Sequence, residues 1–444
     1  MNSAVLRKSL MITVLAVLLL GNALAQAQVT ITYMHRSIPL ETEWAQRVAA
    51  AFEEAHPDIK VELLSGGSHT GYLDKLTILV ASGMAPDVHF GTADRLLPIY
   101  NGWILDLTEL VERDLEELAI DDFLPGIFNS YGVNGKLYGM PINVVPQVVF
   151  WNKDLFAQQG IPPLTMDWDA TDWTWDEFIQ VCRRLTERGP DNQYRRLGVG
   201  QATETYLPDV TWIFGGDWFP EEAYVTGIAR EATMTRPETI QAFEAMAELY
   251  QNYAAEGPAK GISSWSGFEQ GLLGMDWIGM WKLKNFLTAT ETGNMAFDWG
   301  MAPVPKVKNR ANTRWVDGLF IAKDSQNIEA AWEFVKFATG TEGLALWAEI
   351  TGDIPARRSA LPVYVDKITD IVDIPQNALF AFIDGTVANS RRAIEESIMG
   401  TGQILASQAY GWFGPILDGT EPASTRLELV QHELNIALAN LFEE

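Results

Sequence analysis

Residues 29–64 read VTITYMHRSIPLETEWAQRVAAAFEEAHPDIKVELL, and the order of patterns inside that stretch decides the fold. Val29 to Tyr33 alternates apolar and polar residues as a half-buried strand does. From Glu41 to Ala55 the apolar residues Trp44, Val48, Phe52 and Ala55 recur on one helical face. Pro57 and Asp58 break that helix, and Ile59 to Leu64 is the next strand. Outward from there, Tyr72 to Ser82 is a second amphipathic helix and Asp87 to Gly91 a third strand. A β-α-β-α-β order implies a parallel sheet covered by helices. Ligands sit beyond the carboxyl ends of such strands, so the loops at 34–39, 66–71 and 92–97 are the places to watch.

Similar alternation continues along the chain. Thr174-Trp175-Asp176-Glu177 is a capping box that opens a helix to about Glu187. Pro237 to Ala254 is a long helix with proline in its first turn. Asp276 to Trp281 is a short buried strand and Ile328 to Thr339 a helix. Internal repeats and free linkers are absent, so two domains must be joined by short crossings, near Asn143 and near Lys306 to Trp315.

The amino terminus bears on the compartment. Arg7 and Lys8 precede an apolar run from Leu10 to Leu20, and Ala23-Leu24-Ala25 supplies the small residues of a cleavage site, the order of a secretory signal peptide. The run is shorter than the ~20 residues of a spanning helix. Cleavage after Ala25 or Ala27 fits, and without a cysteine there to carry a lipid, the expected product is a soluble periplasmic or secreted chain.

Composition excludes several classes. Net charge is −26 over 444 residues, which argues against nucleic acid and anionic lipid surfaces, both of which reward clustered Lys and Arg. The acidity is scattered, as on a solvated, self-repelling surface. Cys182 is the only cysteine and can form no intramolecular disulfide; inside a helix it reads as packed. Gly66-Gly67-Ser68-His69-Thr70-Gly71 misses the nucleophile-elbow spacing by one residue. His432-Glu433 lacks the second histidine of a zinc protease. His35, His56, His69, His89 and His432 stand at no metal-ligand spacing, and no phosphate-binding glycine loop occurs, so neither metal nor cofactor is expected. The sixteen tryptophans are an excess, and Trp103, Trp168, Trp173, Trp218, Trp265 and Trp412 fall in expected loops. Flat rings suit the apolar faces of sugars, although core packing is the commoner use of any single one.

Seven ordered segments carry a family resemblance: Phe52 to Glu62, Ala81 to Val88, Gly135 to Pro141, Trp151 to Phe156, Gly300 to Pro305, Ala330 to Phe337 and Ile354 to Arg357. Together they resemble the extracellular solute-binding proteins of carbohydrate ABC importers, the group that includes maltose-binding protein. The resemblance implies an α/β chain with a periplasmic-binding-protein type II fold: two α/β lobes, a hinge, and a ligand cleft between the lobes. It implies a signal peptide at 1–27, a first lobe of 28–143 plus 310–353, and a second of 144–309 plus 354–444. The function implied is capture of a sugar or polyol for an ABC permease by a monomer, without catalysis. A secreted carbohydrate-active enzyme and a sensory binding protein feeding a membrane kinase stay open. Turnover of glycosides would separate the first, and neighbouring permease genes the second.

The family's site carries over residue by residue. Asp94-Arg95 matches a pair that bonds sugar hydroxyls, and Trp281 a tryptophan that stacks on a sugar ring. Asn143 and Arg357 match positions that face the cleft. His35, Arg36 and Gly318 complete the expected set, with Trp212, Gly215 and Gly216 from a looser match. Val145 stands where maltose-binding protein has a cleft glutamate, which by that resemblance argues against a maltose-type ligand.

Overall fold

The computed structural model describes residues 28–91, 96–200, 207–256 and 260–441, so the signal-peptide segment and Asp94-Arg95 lie outside the described residues. The opening stretch forms β1 (Val29–His35), α1 (Pro39–Ala55), β2 (Ile59–Ser65), α2 (His69–Ala81) and β3 (Val88–Gly91). β1 pairs in parallel with both β2 and β3. Pro39 sits in the first turn of α1, where its missing N–H is no loss. Trp44, Ala45, Val48, Ala49 and Phe52 are the buried side of that helix.

The middle of the chain supplies β4 (Met140–Pro141), β5 (Asn143–Asn152), α3 (Trp175–Leu185), β6 (Tyr194–Val199), α4 (Leu207–Phe214), α5 (Pro237–Asn252), β7 (Leu273–Gly279) and β8 (Trp299–Ala302). Thr174 caps α3 by accepting from the Glu177 N–H. Its own N–H donates to the Asp172 carbonyl, so the reciprocal half of the capping box is not made. Beyond lie β9 (Asn312–Trp315), β10 (Gly318–Ile321), α6 (Ile328–Ala338), α7 (Thr341–Thr351), β11 (Ile354–Pro355), β12 (Ser390–Arg392), α8 (Thr401–Leu417) and α9 (Ala423–Asn440).

These strands make two main sheets. The first has the order β2-β1-β3-β10-β4. The second runs β12-β9-β5-β7-β6 and ends on Glu187–Arg188, with β8 and β11 also paired to β5. The ten residues of β5 are all buried. Each lobe packs its own helices. In the first, Trp44 meets Trp347 of α7 edge-on at 5.0 Å and donates to the Gly343 carbonyl. In the second, α5 packs against α4, α8 and α9.

Sheet membership moves one expected boundary. β9 pairs with β5 and β12, so residues 312–315 belong to the second sheet and the changeover falls at Val316–Asp317, not at 310. The chain therefore passes between the sheets at Ile142–Asn143, at Val316–Asp317 and at Asp353–Ile354. Of the loop tryptophans, Trp168, Trp173, Trp218 and Trp412 are buried, Trp412 inside α8, while Trp265 is exposed. Cys182 is buried in α3, and burial pushes its thiol well up, which suits packing over reactivity.

Candidate functional site

Three crossings lie side by side and are laced together. The Asn143 amide donates to Asp317 Oδ2 at 3.0 Å and accepts from the Asp317 N–H at 2.9 Å. Asn143 is also in register with Pro355 of the third crossing. Arg36, just past the carboxyl end of β1, donates to Glu41 at 2.6 Å and reaches Asp317 at 3.5 Å, with its guanidinium 4.4 Å from the Phe90 ring centre. Burial works against that charge, and the Asp317 and Glu41 carboxylates more than offset it, holding the guanidinium pKa above its ordinary value. Asp353, at the third crossing, is buried and pushed up to about 6. The strand that begins the fold thus ends on a buried ionic knot at the hinge.

On the second-lobe side of the hinge stand two tryptophans. β7 ends at Gly279 and turns through Met280–Lys282, and the Trp281 ring folds back over Gly279, where a Cβ atom would lie 2.0 Å from it. Gly279 has φ −66 and ψ 149, a backbone any residue adopts, so close approach alone requires the glycine here. Trp315, at the end of β9, meets Trp281 edge-on at 5.0 Å and donates its indole N–H to Glu395 at 2.8 Å. Trp281 remains half-buried, packed against the core on one side. Across the opening, Tyr100 of the first lobe donates to the Thr226 carbonyl of the second at 2.5 Å, so the lobes also touch at the rim.

Of the expected residues, His35, Arg36, Asn143 and Trp281 come together around this hinge corner. His35 is buried with Nδ1 2.8 Å from the Arg36 carbonyl oxygen. Trp212, Gly215 and Gly216 line a separate groove of about 660 Å³ on the second lobe, shared with Asp217, Asn309 and Arg391. Trp212 is buried, and the Arg391 guanidinium, paired to Asp217 at 2.9 Å, lies 4.3 Å over its ring, so that ring face is taken. Gly318 opens β10, where a Cβ atom would lie 2.4 Å from the Tyr131 ring; packing accounts for it.

Arg357 departs from its expected place in the cleft. Its guanidinium donates to the carbonyls of Thr339 and Ala119 and to Asp122, and sits 3.9 Å over the Phe123 ring. It lines a depression with His56 and Phe337, beside the amino end of β2, the end opposite the hinge corner. Nε and one terminal nitrogen of the guanidinium thus hold the chain after the third crossing. Sequence reasoning missed Trp315, Asp317 and Glu395. Asp317 carried no local signal, and Trp315 was hidden by a segment read as pure connection.

Among the described residues no group of three His, Cys, Asp or Glu could hold a metal ion, and no helix is long and apolar enough to cross a membrane.

The same arrangement of sheets occurs in the sugar-binding protein MalE of Xanthomonas citri, which superposes with a TM-score of 0.77 over 93% of this chain and 98% of its own, at 19% identity. That likeness shows the fold. A maltooligosaccharide ABC transporter solute-binding lipoprotein of Streptococcus pneumoniae is 25% identical over 350 residues, 71% of this chain and 70% of its own. A mannitol-binding protein of Pseudomonas aeruginosa is 23% identical over 308 residues, 66% of this chain. The chain spans 65% of the length of that protein, and the same share of a binding protein of Brucella abortus. The profile described as bacterial extracellular solute-binding protein matches residues 38–345. Two sheets joined by three laced crossings, and a profile that covers most of the chain, place this protein in the bacterial extracellular solute-binding protein family.

Proposed function

We propose that this protein captures a sugar or polyol between its lobes, outside the cytoplasm, and presents it as a monomer to the permease of an ABC importer. The observation that carries the reading is the half-buried Trp281, held edge-on by Trp315 at 5.0 Å, directly beside the laced crossings. A flat ring fixed in position stacks on the apolar face of a sugar with little entropy left to lose. Similarity to proteins named for maltooligosaccharide and for mannitol supports a polyhydroxylated solute. The family resemblance adds Asp94 and Arg95, which follow β3 in the sequence and lie outside the described residues, to the proposed site. The family consists of binding proteins, and the Glu41 and Asp317 carboxylates of the hinge corner are both engaged by Arg36.

Thermal-shift and calorimetric titration against mannitol, maltose, maltotriose and glycerol tests this. A true ligand at 100 times its Kd adds about 2.7 kcal/mol of stability. Failure of every sugar and polyol to shift the melting temperature would remove the carbohydrate reading. Release of free sugar from a glycoside would favour an enzyme instead.

A further inference from the structure

On the face of the second sheet that α4 covers, register brings three strands to one point. β9 and β5 run antiparallel with Arg314 opposite Pro146 and Trp315 opposite Val145, which sets Thr313 opposite Gln147. β7 brings Gly279 opposite the same Gln147 from the other side. Since side chains alternate along a strand, Thr313, Gln147 and Trp315 share one face, and the Trp281 ring lies over Gly279 next to them.

Two side chains at this point lack what burial demands. Gln147 is wholly buried, and neither its amide nitrogen nor its oxygen has a partner. Asp209 of α4 is also wholly buried; its Oδ1 accepts from the Thr313 hydroxyl, and its Oδ2 has no partner. Unpaired polar atoms in an apolar interior destabilise a fold, and such atoms mark places where an absent partner belongs. Burial pushes the Asp209 carboxyl up to about 8, with Arg391 and Glu395 as its charged neighbours. At neutral pH the group is therefore mainly the acid, and Thr313 on Oδ1 leaves the proton on Oδ2 as a donor.

We propose that Gln147 and Asp209 are specificity-determining residues, a hydroxyl-reading floor beneath the Trp281–Trp315 pair that hydrogen-bonds the solute stacked there. Gln147 offers two donor hydrogens and an acceptor oxygen, and Asp209 a donor. A hydroxyl, at once donor and acceptor, satisfies both; an apolar or deoxygenated ring leaves them buried and unpaired. The proposal rests on the carbohydrate reading above and extends it to a second-lobe contact outside the set expected from the family. The same groups stabilise the loaded state and penalise the empty one, so affinity and apo stability should move in opposite directions when they are changed.

The test uses the full mature chain, with calorimetric Kd for mannitol, maltose and maltotriose and the melting temperature without solute. Gln147→Met should weaken binding of the preferred solute roughly tenfold or more and raise the apo melting temperature. Asp209→Asn keeps an acceptor for Thr313 and a donor toward the solute, and should stay within about threefold of wild type. Wild-type affinity in Gln147→Met, or a lower apo melting temperature or loss of folding in it, would assign Gln147 to the core and overturn the proposal. Loss of affinity in Asp209→Asn equal to that of Gln147→Met would refute the neutral-acid role. A wild-type protein that binds none of the three would instead strike the carbohydrate reading, and the floor with it.

Discussion

Single side chains at the hinge corner differ in what sequence alone could say of them. Trp281 was legible because its place after a buried strand matches a family pattern. Gln147 was not, although it is the one amide in the apolar run from Val144 to Trp151. Its meaning depends on Thr313 and Gly279, more than 130 residues away in the chain, and register of that range has no local signature. Arg357 shows the converse, a matched residue whose partners Asp122 and Thr339 turn it to structural use. Trp281→Ala should cost about 2 kcal/mol or more of solute binding, as truncated anchor aromatics do. Calorimetry on the folded variant checks this, and unchanged affinity takes Trp281 out of the site. Asp209 gives a pH prediction. Its carboxyl holds a proton up to about 8 in the fold, against an ordinary value of 3.8. Between those values the folded chain carries a proton that the unfolded chain lacks, so this group's contribution falls as pH rises, by at most about 1.4 kcal/mol per unit. Urea midpoints at pH 5 and pH 8 should show wild type losing stability relative to Asp209→Asn. Parallel curves for the two would mean that the acid is not held neutral.

Elements were read best where the local pattern and the tertiary pattern agree. β1, α1, β2, α2 and β3 came out within three residues at each end, because alternation and helical spacing there coincide with the buried faces. β9 was missed as a strand, since Asn312-Thr313-Arg314-Trp315 has no apolar alternation and is held by pairing with β5 and β12. Tryptophans misled for a related reason: Trp168, Trp173 and Trp218 do sit in irregular segments, yet those segments are pinned against helices and their rings are core. The turn after β7 supplies a prediction of its own. Gly279→Ala leaves a backbone that alanine adopts freely, but its Cβ would stand 2.0 Å from the Trp281 ring and must push it off the strand. Binding should weaken about as much as in Trp281→Ala, while intrinsic tryptophan fluorescence of the apo protein shifts toward that of an exposed ring. An unaltered emission spectrum together with unaltered Kd would show that the ring's position is immaterial.

Across the whole molecule, the three crossings decide how the lobes can move. Asn143, Asp317 and Pro355 are bound side by side, so the lobes cannot slide apart, and rotation about this laced seam is the motion left to them. Each lobe keeps its own sheet and helices, which leaves the lobes internally rigid during that rotation. Among the described residues, Tyr100 and Thr226 also join the lobes by a hydrogen bond of 2.5 Å, which the motion must break and remake. A solute that touches Trp281 on one lobe and the carboxyl ends of the first sheet on the other favours the closed arrangement only by its differential affinity for the two states. Small-angle scattering of the mature protein, with and without a saturating sugar or polyol whose binding calorimetry has confirmed, measures this directly. The radius of gyration should fall on saturation, with the lobes approaching as rigid bodies. A bound solute that leaves the scattering profile unaltered would contradict capture between hinged lobes.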